Sequence, residues 1–330
     1  MKKTVINEIA IFIISSAILL TAAWHSELFV PSGFKRDIFK SSPIERRDNM
    51  YGVTHAGDNL IWIVGNIGKI ARSKDGGKTW DSSNSAVNYN LQDIAAWDEK
   101  RLVAVGNEGV LIVSEDGGDT WIKKDVPKSE IANKLIRVKT QPDGKAWACG
   151  IMGTALYTDD YGNTWRRRIP EEDIAFNDIA FATDLIGAIA CEFGKIKRTE
   201  DGGETWTEIS TPVGKSLTAI DFNEEGVGVI VGLEGTLLRS ADYGLTWELI
   251  DAGTTQHLFN IIHFNGHWVS IGNKGIIVTS SDSGVTWESK QLSDTELLWH
   301  TGITHLSSSK MIIVGGTQGI FDNGNWKYLF

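Results

Sequence analysis

An eight-residue pattern that recurs along the chain constrains its fold more than any other feature of the sequence. The pattern reads Ser/Thr-x-Asp-x-Gly-x-Thr-Trp, and a decayed seventh copy ends at Trp326. The complete copies, here called boxes one to six, occupy residues 73–80, 114–121, 158–165, 199–206, 240–247 and 280–287. Successive terminal tryptophans are separated by 39 to 44 residues, a spacing typical of β-propeller blades.

Each repeat also contains the segments expected of a blade. In the second repeat, short runs at 91–97, 101–106, 110–114 and 120–124 are separated by turns rich in Asp, Asn and Gly. Four antiparallel strands joined by tight turns make one blade. A Gly-x-x-Gly landmark precedes most boxes, as at Gly65 and Gly68, and the last copy is placed at Gly316 and Gly319. The sequence therefore predicts an all-β, seven-bladed β-propeller over residues 49–330.

The box residues are predicted to be structural rather than catalytic or metal-binding. Gly at the fifth position permits positive φ, and the Asp carboxylate can accept hydrogen bonds from the backbone of its own turn. The Trp begins the outer strand and packs its ring between blades. Calcium needs about six to eight oxygen ligands, and the boxes supply no second oxygen ligand at regular spacing. The predicted structural residues are Asp75, Asp116, Asp160, Asp201, Asp242, Asp282, Trp80, Trp121, Trp165, Trp206, Trp247 and Trp287.

Residues 1–23 have the features of a signal peptide or an N-terminal anchor. Lys2 and Lys3 precede a mainly apolar stretch, and small residues at 21–23 offer a cleavage site. The stretch is short and polar for a membrane span of about 20 residues, so cleavage and retention as an anchor both stay open. Residues 24–48 are predicted to be a linker that could supply a ring-closing strand. We expect an exported protein.

The charge of the chain restricts its partners. A formal net charge of −10 argues against broad binding to nucleic acids or to an anionic membrane surface. Basic residues nevertheless cluster on two adjacent outer strands and before boxes one, four and five. A basic patch can steer an acidic partner; the alternative is a solvated edge that blunts strand pairing between molecules. The candidate partner-binding residues are Arg72, Arg198, Arg239, Lys123, Lys124, Arg166, Arg167 and Arg168.

Histidine and cysteine side chains are the candidates for metal ligands and for a disulfide. His55, His263 and His305 occupy matching positions on predicted innermost strands, but rotational symmetry does not make such positions converge, and no metal site is predicted. Cys149 and Cys191 lie on matching strands of adjacent blades. Such strands usually stand farther apart than the roughly 7 Å between Cα atoms that a bridge allows, so free thiols and a disulfide both stay open.

Two enzyme families share this box. It is named for bacterial sialidases, and residues 168–170 resemble their Arg-Ile-Pro motif, which in that family precedes the first box. Sialidases hold the substrate carboxylate with three arginines, whereas Arg137 is the only arginine on a predicted innermost strand. The boxes also resemble those of xyloglucan-cleaving glycosidases, but the sequence nominates no pair of catalytic carboxylates. We predict no enzymatic activity and no cofactor; a carbohydrate-active propeller, sialidase-like or a glucan glycosidase or lectin, is the alternative.

The combined unit at residues 65–80, from Gly65 to Trp80, resembles the photosystem II assembly and stability factors and their relatives in non-photosynthetic bacteria. Residues 194–206 match nearly as well, whereas boxes three, five and six depart from that family with Tyr161, Tyr243 and Ser283 in place of the first Gly. The resemblance implies a non-catalytic scaffold that binds a membrane protein or complex and aids its assembly, and we expect it to be a monomer. It implies a location in the periplasm or the thylakoid lumen, and a photosystem II partner only in a photosynthetic organism.

Overall fold

A computed structural model describes residues 43–45, 47–57, 59–307 and 309–330 of the chain. This part of the chain contains 28 β-strands, numbered β1 to β28 in chain order, and four 3-10 turns of three residues each. None of its helical turns has the length and apolar character needed to cross a bilayer. The predicted signal or anchor at 1–23, and residues 24–42 of the predicted linker, lie outside the described residues.

The strands form seven four-stranded antiparallel sheets, each built from four consecutive strands. Blades one to three comprise Met50–Ala56, Leu60–Gly65, Lys69–Ser73 and Asp81–Asn84; Leu91–Ala96, Leu102–Gly106, Leu111–Ser114 and Ile122–Lys123; Leu135–Thr140, Ala146–Gly150, Thr154–Thr158 and Arg166–Arg167. Blades four and five comprise Phe176–Phe181, Gly187–Cys191, Ile196–Thr199 and Thr207–Ile209; Leu217–Phe222, Gly228–Gly232, Leu237–Ser240 and Glu248–Leu249. Blades six and seven comprise Leu258–Phe264, His267–Gly272, Ile276–Ser280 and Glu288–Gln291; His300–His305, Lys310–Gly315, Gln318–Asp322 and Asn325–Tyr328.

The seven sheets close into a ring. The first strand of each blade packs against the first strands of both neighbouring blades, and β25 of blade seven packs against β1 of blade one. The first strands therefore surround the axis, and the fourth strands lie at the outside. The box turns lie on one face of the ring, here called the box face, and the turns between second and third strands lie on the opposite face. The predicted all-β, seven-bladed propeller is confirmed.

Seven apolar clusters lie between successive blades, one at each junction. Each cluster includes one tryptophan that ends a box or its decayed copy. Going round the ring, this tryptophan belongs to the second blade of each pair, which is blade one at the junction of blades seven and one. Trp165, for example, packs with Leu111 of blade two and Leu156 of blade three. The second strand of most blades is buried along its whole length, as in β6 and β10. Each blade thus buries both faces only against its two neighbours.

Blade seven meets blade one without sharing a strand. Their junction, here called the seam, is filled by Ile44, Met50, Ile312 and neighbouring apolar side chains. Residues 43–45 and 47–49 form no strand, yet the Ile44 side chain is fully buried in the seam. Hydrogen bonds also cross the seam: Gln318 Nε2 donates to the carbonyl of Asp48 at 3.0 Å. The ring is closed by side-chain packing and a few such bonds.

The last Gly-x-x-Gly landmark was placed one residue late. Gly315 pairs with the start of β25 as Gly65 pairs with the start of β1, so Gly315 is the structural equivalent of Gly65. Gly319 lies within β27 and pairs with Ile313, rather than in the turn. The turn between the second and third strands of blade seven is shorter than the corresponding turns of the other blades. Because glycine occupies both 315 and 316, the sequence pattern could be matched one residue too late.

Cys149 and Cys191 are free thiols in the structure. Both are fully buried in the apolar cluster between blades three and four. Burial raises the pKa of both thiols, which disfavours the thiolate needed for disulfide exchange. Of the two alternatives left open by the sequence, the structure contains the free thiols.

Gly68 provides a test of how tightly the turns are built. Its φ is +68°, and a Cβ at this position would lie 1.9 Å from the carbonyl oxygen of Val87. We expect Gly68→Ala to lower the free energy of unfolding by about 3 kcal/mol, since backbone strain and overpacking add. Gly214→Ala is the matched control, because a Cβ there meets nothing within 4 Å. Urea unfolding of both variants measures the difference; equal stability of the two would contradict the prediction.

Candidate functional site

The six boxes share one hydrogen-bond network. In box one, Thr79 donates to Asp75 from its N–H at 2.8 Å and from its hydroxyl at 2.6 Å. The hydroxyl of Ser73 donates to the same carboxylate at 2.8 Å and accepts from the N–H of Gly77 at 2.8 Å. The other five boxes repeat these contacts. The carboxylates are therefore occupied by their own turns.

The box departures at the fourth position do not alter the turn. Tyr161, Tyr243 and Ser283 adopt φ of 57°, 59° and 56°, close to the 71° to 73° of the glycines they replace. Asn, Asp and Gly visit this left-handed region most readily. The turn geometry is kept in all six boxes, and the side chains that replace Gly are free to pack elsewhere. Tyr161, for example, lies beneath the guanidinium of Arg101 at 3.6 Å from its ring centroid.

The three arginines that precede boxes form contacts between blades. Arg72 donates to the carbonyl of Gly117 at 2.7 Å, Arg198 to that of Tyr243 at 3.0 Å, and Arg239 to that of Ser283 at 2.9 Å. Each acceptor is the fourth residue of the next blade's box. The three side chains are only 6 to 13% exposed. These arginines hold successive boxes together, and little of each guanidinium is open to a partner.

The basic residues of blades two and three lie side by side on the outer surface. Lys123 is exposed on β8, and Lys124 reaches across to blade three, where its Nζ lies 3.0 Å from Asn163 Oδ1. Arg166 and Arg168 flank the ring of Tyr157 at 5.0 and 4.8 Å from its centroid.

Most of these cations already have partners within the propeller. Arg166 pairs with Asp159 at 2.7 Å, and Arg168 pairs with Glu204. Arg167 donates to the backbone of its own blade and to the hydroxyl of Thr154 at 3.0 Å. Beside Arg168, a groove of about 390 Å³ extends past Ile169 to Trp206. The surface is therefore one of mixed charge with an aromatic border rather than a uniformly positive patch.

A cavity of about 430 Å³ occupies the centre of the ring. Its lining runs from Asp93, Arg137 and Asn260 to Thr140 and His305, which lie nearer the box face. Arg137 extends across the axis from blade three: its two terminal nitrogens donate to the carbonyl of Phe259 at 2.8 Å and of Thr301 at 3.3 Å, in blades six and seven. Arg137 therefore forms a strut at one end of the cavity.

Lys139 forms a second cross-link from blade three. Its Nζ donates to the carbonyl of Ile220 in blade five at 2.7 Å and lies 3.2 Å from the carboxylate of Asp178 in blade four. Burial alone would lower the pKa of Lys139, but Asp178 and Asp221 outweigh it and raise the pKa. Lys139 therefore stays charged, and blade three is tied to four other blades by two cations.

Carboxylates complete this axial network. Asp93 accepts from the N–H of Val138 at 3.0 Å, and Asp178 accepts from the N–H of Ile220 at 2.9 Å, so each reaches the next blade. Burial raises the pKa of Asp93 to about 6, although Arg137 opposes the shift. Burial likewise raises the pKa of Asp221, against the opposing charge of Lys139. Each of these three carboxylates therefore accepts a hydrogen bond from the next blade, Asp221 from the N–H of His263 at 2.8 Å.

The three matching histidines do not meet at one point. His55 and His305 pack edge to face across the seam, with ring centroids 4.8 Å apart, whereas His263 lies against Trp268 at 4.7 Å. The Nδ1 of His55 lies 2.7 Å from the hydroxyl of Thr304. Within the described ranges, no group of three or more His, Cys, Asp or Glu side chains is arranged to hold a metal ion.

The comparison with protein families decides where the chain belongs. The family model of the Photosynthesis system II assembly factor YCF48 matches residues 82–157 and 199–321. The chain belongs to the YCF48 family. The resemblance expected from the box unit is thereby confirmed. No curated protein matches the chain significantly.

Solved structures share the propeller with this YCF48-family chain. A structure described as YCF48 bound to D1 peptide is 17% identical, with a TM-score of 0.68, over 82% of this chain and 91% of that one. YCF48 from Cyanidioschyzon merolae is 15% identical, with a TM-score of 0.65, over 83% and 94% of the two chains. The WD40 propeller domain of Doa1, 12% identical, reaches a TM-score of 0.70 over 85% and 95%. At these identities the likeness shows a common fold.

The axial network was mostly missed by the sequence reasoning. Arg137 was noted as an innermost arginine, but Asp93, Asp178 and Asn260 were not singled out. These residues occupy the same register position as Arg137 on the first strands of their blades. Polar residues at one matched position in four repeats of a YCF48-family propeller were the available signal.

Arg137 is expected to stabilise the ring. Arg137→Ala removes a donor from the carbonyls of Phe259 and Thr301 and the cation whose charge acts on Asp93, so we expect the free energy of unfolding to fall by about 2–4 kcal/mol. Arg47→Ala, at a side chain 85% exposed, is the control and should change stability by less than about 0.5 kcal/mol.

The decrease in the free energy of unfolding caused by Arg137→Ala should also depend on pH. Without the cation, the pKa of Asp93 in the folded state rises further, and an acid with a raised pKa makes folding less favourable as pH increases through that range. Guanidinium unfolding of the parent chain and of Arg137→Ala at pH 5 and pH 8 measures this. The variant should lose more free energy of unfolding, relative to the parent chain, at pH 8 than at pH 5. An equal loss at both values would contradict the assigned coupling.

The boxes are expected to make the YCF48-family fold sensitive to acid. Hydrogen bonds from Thr79, Thr205 and Thr286 lower the pKa of Asp75, Asp201 and Asp282 to about 2. Because these folded-state values lie below the unfolded ones, the stabilisation is complete above about pH 4 and is lost as pH falls to about 2. Thermal unfolding between pH 6 and pH 2 measures this loss. Between pH 6 and pH 2, Asp201→Asn should lose less thermal stability than the parent chain. If the variant and the parent chain lost the same amount, the assigned role of the box carboxylates would be contradicted.

Proposed function

We propose that this chain is a non-catalytic scaffold, outside the cytoplasm, that binds a segment of a membrane protein during its assembly. The observation that carries the proposal is the match of the family model of an assembly factor to most of the propeller. The relative described as bound to a D1 peptide supports the kind of partner. The apolar segment near the N-terminus supports export. A photosystem II partner follows only in a photosynthetic organism.

The partner surface proposed here is the outer face of blades two to four. Lys123 is exposed there, Arg166 lies over the ring of Tyr157, and Arg168 lines the groove that ends at Trp206. Arginines paired with surface carboxylates can exchange those pairs for the carboxylates of a partner at small cost, since exposed ion pairs contribute only about 0–1 kcal/mol. An acidic, partly aromatic segment therefore suits this surface. The central cavity suits it less, because Arg137 crosses the axis.

The proposed surface can be tested by affinity capture from membranes of the source organism. Lys123→Glu combined with Arg166→Glu should reduce capture of a membrane protein about tenfold and weaken its dependence on salt, because charged rim residues mainly set the association rate. Lys274→Glu combined with Lys290→Glu is the matched control, at two exposed lysines of blade six. Capture that is equal for both double variants would remove these residues from the partner surface.

The scaffold role itself has a separate test. If no membrane protein is captured by the parent chain at low salt, the scaffold proposal fails whichever surface is used. Hydrolysis of a sialoside or a glucan by the purified chain would replace it with the carbohydrate-active alternative. Protease protection of the intact chain in the cells that make it tests the proposed location, since a cytoplasmic chain would contradict export.

A further inference from the structure

The turns between the second and third strands share an unusual backbone conformation at their tips. In blades one to six, the residue before the last Gly of the turn is left-handed, with φ between 53° and 59°. Gly, Asn and Asp adopt this conformation readily, whereas a β-branched or bulky residue is an outlier there. The six tip residues are Ile67, Glu108, Met152, Phe193, Glu234 and Lys274. Each tip therefore carries backbone strain that Gly or Asn would relieve.

Two of these tips also expose large apolar side chains. Ile67 is 68% exposed and Phe193 is 65% exposed. Neither side chain belongs to any of the apolar clusters in the described part of the chain, so packing does not offset the strain at these positions. Residues that break a local rule without a compensating gain in packing tend to mark functional sites.

Apolar side chains extend over this side of the ring from blade one to blade four. The face opposite to the box face is here called the tip face, and the connections between blades also lie on it, because each fourth strand runs back from a box turn. In blade two the Nζ of Lys128 donates to the carbonyl of Glu108 at 2.9 Å, so the connection that follows blade two packs on its turn. That connection presents Ile131, which is 77% exposed. With the half-buried Met152 of blade three, each of blades one to four has an apolar residue on the tip face, whereas blades five and six have charged tips.

Each of the two exposed apolar tips has a lysine behind it. Residues 67–69 read Ile-Gly-Lys and residues 193–195 read Phe-Gly-Lys, and the corresponding turns of blades two, three, five and six have no basic residue after the Gly. Both lysines form partly exposed ion pairs with neighbouring carboxylates. Such pairs contribute little to stability, so each lysine can exchange its carboxylate for a phosphate group. An apolar tip with a cation behind it matches the boundary between acyl chains and headgroup phosphates in a bilayer.

The separation of the apolar tips favours a fluid surface over a folded partner. The apolar core of a protein–protein interface is contiguous and closely packed. Ile67, Ile131 and Phe193 belong to different blades, and the charged residues Glu108 and Glu130 lie between the first and last of them in the sequence. A folded partner would need a separate pocket for each apolar side chain, whereas acyl chains adapt to isolated side chains.

We propose that the tip face of blades one to four docks on a phospholipid bilayer, with Ile67, Ile131 and Phe193 inserted at its surface. The net charge of −10 opposes binding to anionic lipids. The expected surface is therefore a zwitterionic bilayer, bound through apolar insertion. This contact is separate from the proposed partner surface, which lies on the outer face of blades two to four, and it does not depend on a membrane-protein partner.

A fluorophore that senses polarity, attached to single introduced cysteines in the full chain, tests the contact locally. Native Cys149 and Cys191 are buried, so labelling is confined to the introduced sites Phe193→Cys and Ile131→Cys. With phosphatidylcholine vesicles, we expect emission from both sites to move to shorter wavelength and to be reduced by a quencher attached to the lipid. Leu245→Cys is the control, at a side chain 52% exposed on the box face of blade five, and should show neither change.

Because this signal comes from the labelled side chain alone, it is independent of any other attachment of the chain to the vesicle. The absence of both changes at the two tip-face sites would overturn the proposal, and so would equal changes at the Leu245→Cys control. Changes seen with native membranes but not with pure lipid vesicles would assign the tips to a membrane protein and would also overturn it.

Substitution of the strained tips separates a lipid contact from a structural role. Ile67→Asn combined with Phe193→Asn should reduce quenching at labelled Ile131→Cys at least about fivefold, because two inserted apolar side chains are lost. The same double variant should raise Tm by about 1–3 °C, because Asn accepts the left-handed conformation. Glu234→Asn combined with Lys274→Asn is the matched control at the equivalent positions of blades five and six, and should leave the quenching unchanged.

Two results of this experiment would contradict the bilayer contact. A lower Tm in Ile67→Asn with Phe193→Asn would show that the two side chains stabilise the fold, and would overturn the proposal. Light scattering that finds a dimer of the parent chain, lost in the same double variant, would assign the tip face to a second copy and would overturn it as well.

Discussion

Face-to-face packing of successive blades is the interaction on which the rest of the structure depends. A four-stranded sheet with two apolar faces has no stable exposed surface, and here both faces are buried only by the neighbouring sheets. The box tryptophan fills each junction, and in boxes one, three, four, five and six its Nε1 donates to a carbonyl of its own turn. Trp165, for example, packs between blades two and three while its Nε1 donates to the carbonyl of Gly162 at 3.1 Å. The turn and the junction are therefore stabilised together.

Polar groups fix the angle between blades at two radii. Near the axis, side chains on the first strands bond to the backbone of the next blade, as Asp93 does with Val138. Farther out, Arg72 and its equivalents bond to the next box. Buried polar groups of this kind are costly unless they are fully paired. Because each pairing needs its neighbour at one rotation, the network favours a ring of seven over looser stacking of the same blades.

The features predicted well from the sequence were those that each repeat determines alone. Every box contains its own donors and acceptors, so Asp75 and Thr79 could be interpreted without knowledge of any other blade. The partners of Arg72, Arg198 and Lys139 could not, because they lie one or more blades away and depend on how blades are rotated. The partners of the outer basic residues were equally hard to predict from the sequence. Arg166 and Arg168 are paired with Asp159 and Glu204, so the positive charge of this surface is smaller than the sequence indicated.

The seam has a consequence for how the chain reaches its folded state. Blades two to six can each pack on the blade before them as soon as they leave the ribosome. The bond between Gln318 and Asp48 joins residues 270 positions apart, so it forms only when the last blade is complete. The entropy of closing such a long stretch of chain is lost before the contact forms, so this step is slow. Until then, blade one presents an uncovered apolar face, and this interval is when the nascent ring is most vulnerable to aggregation and proteolysis.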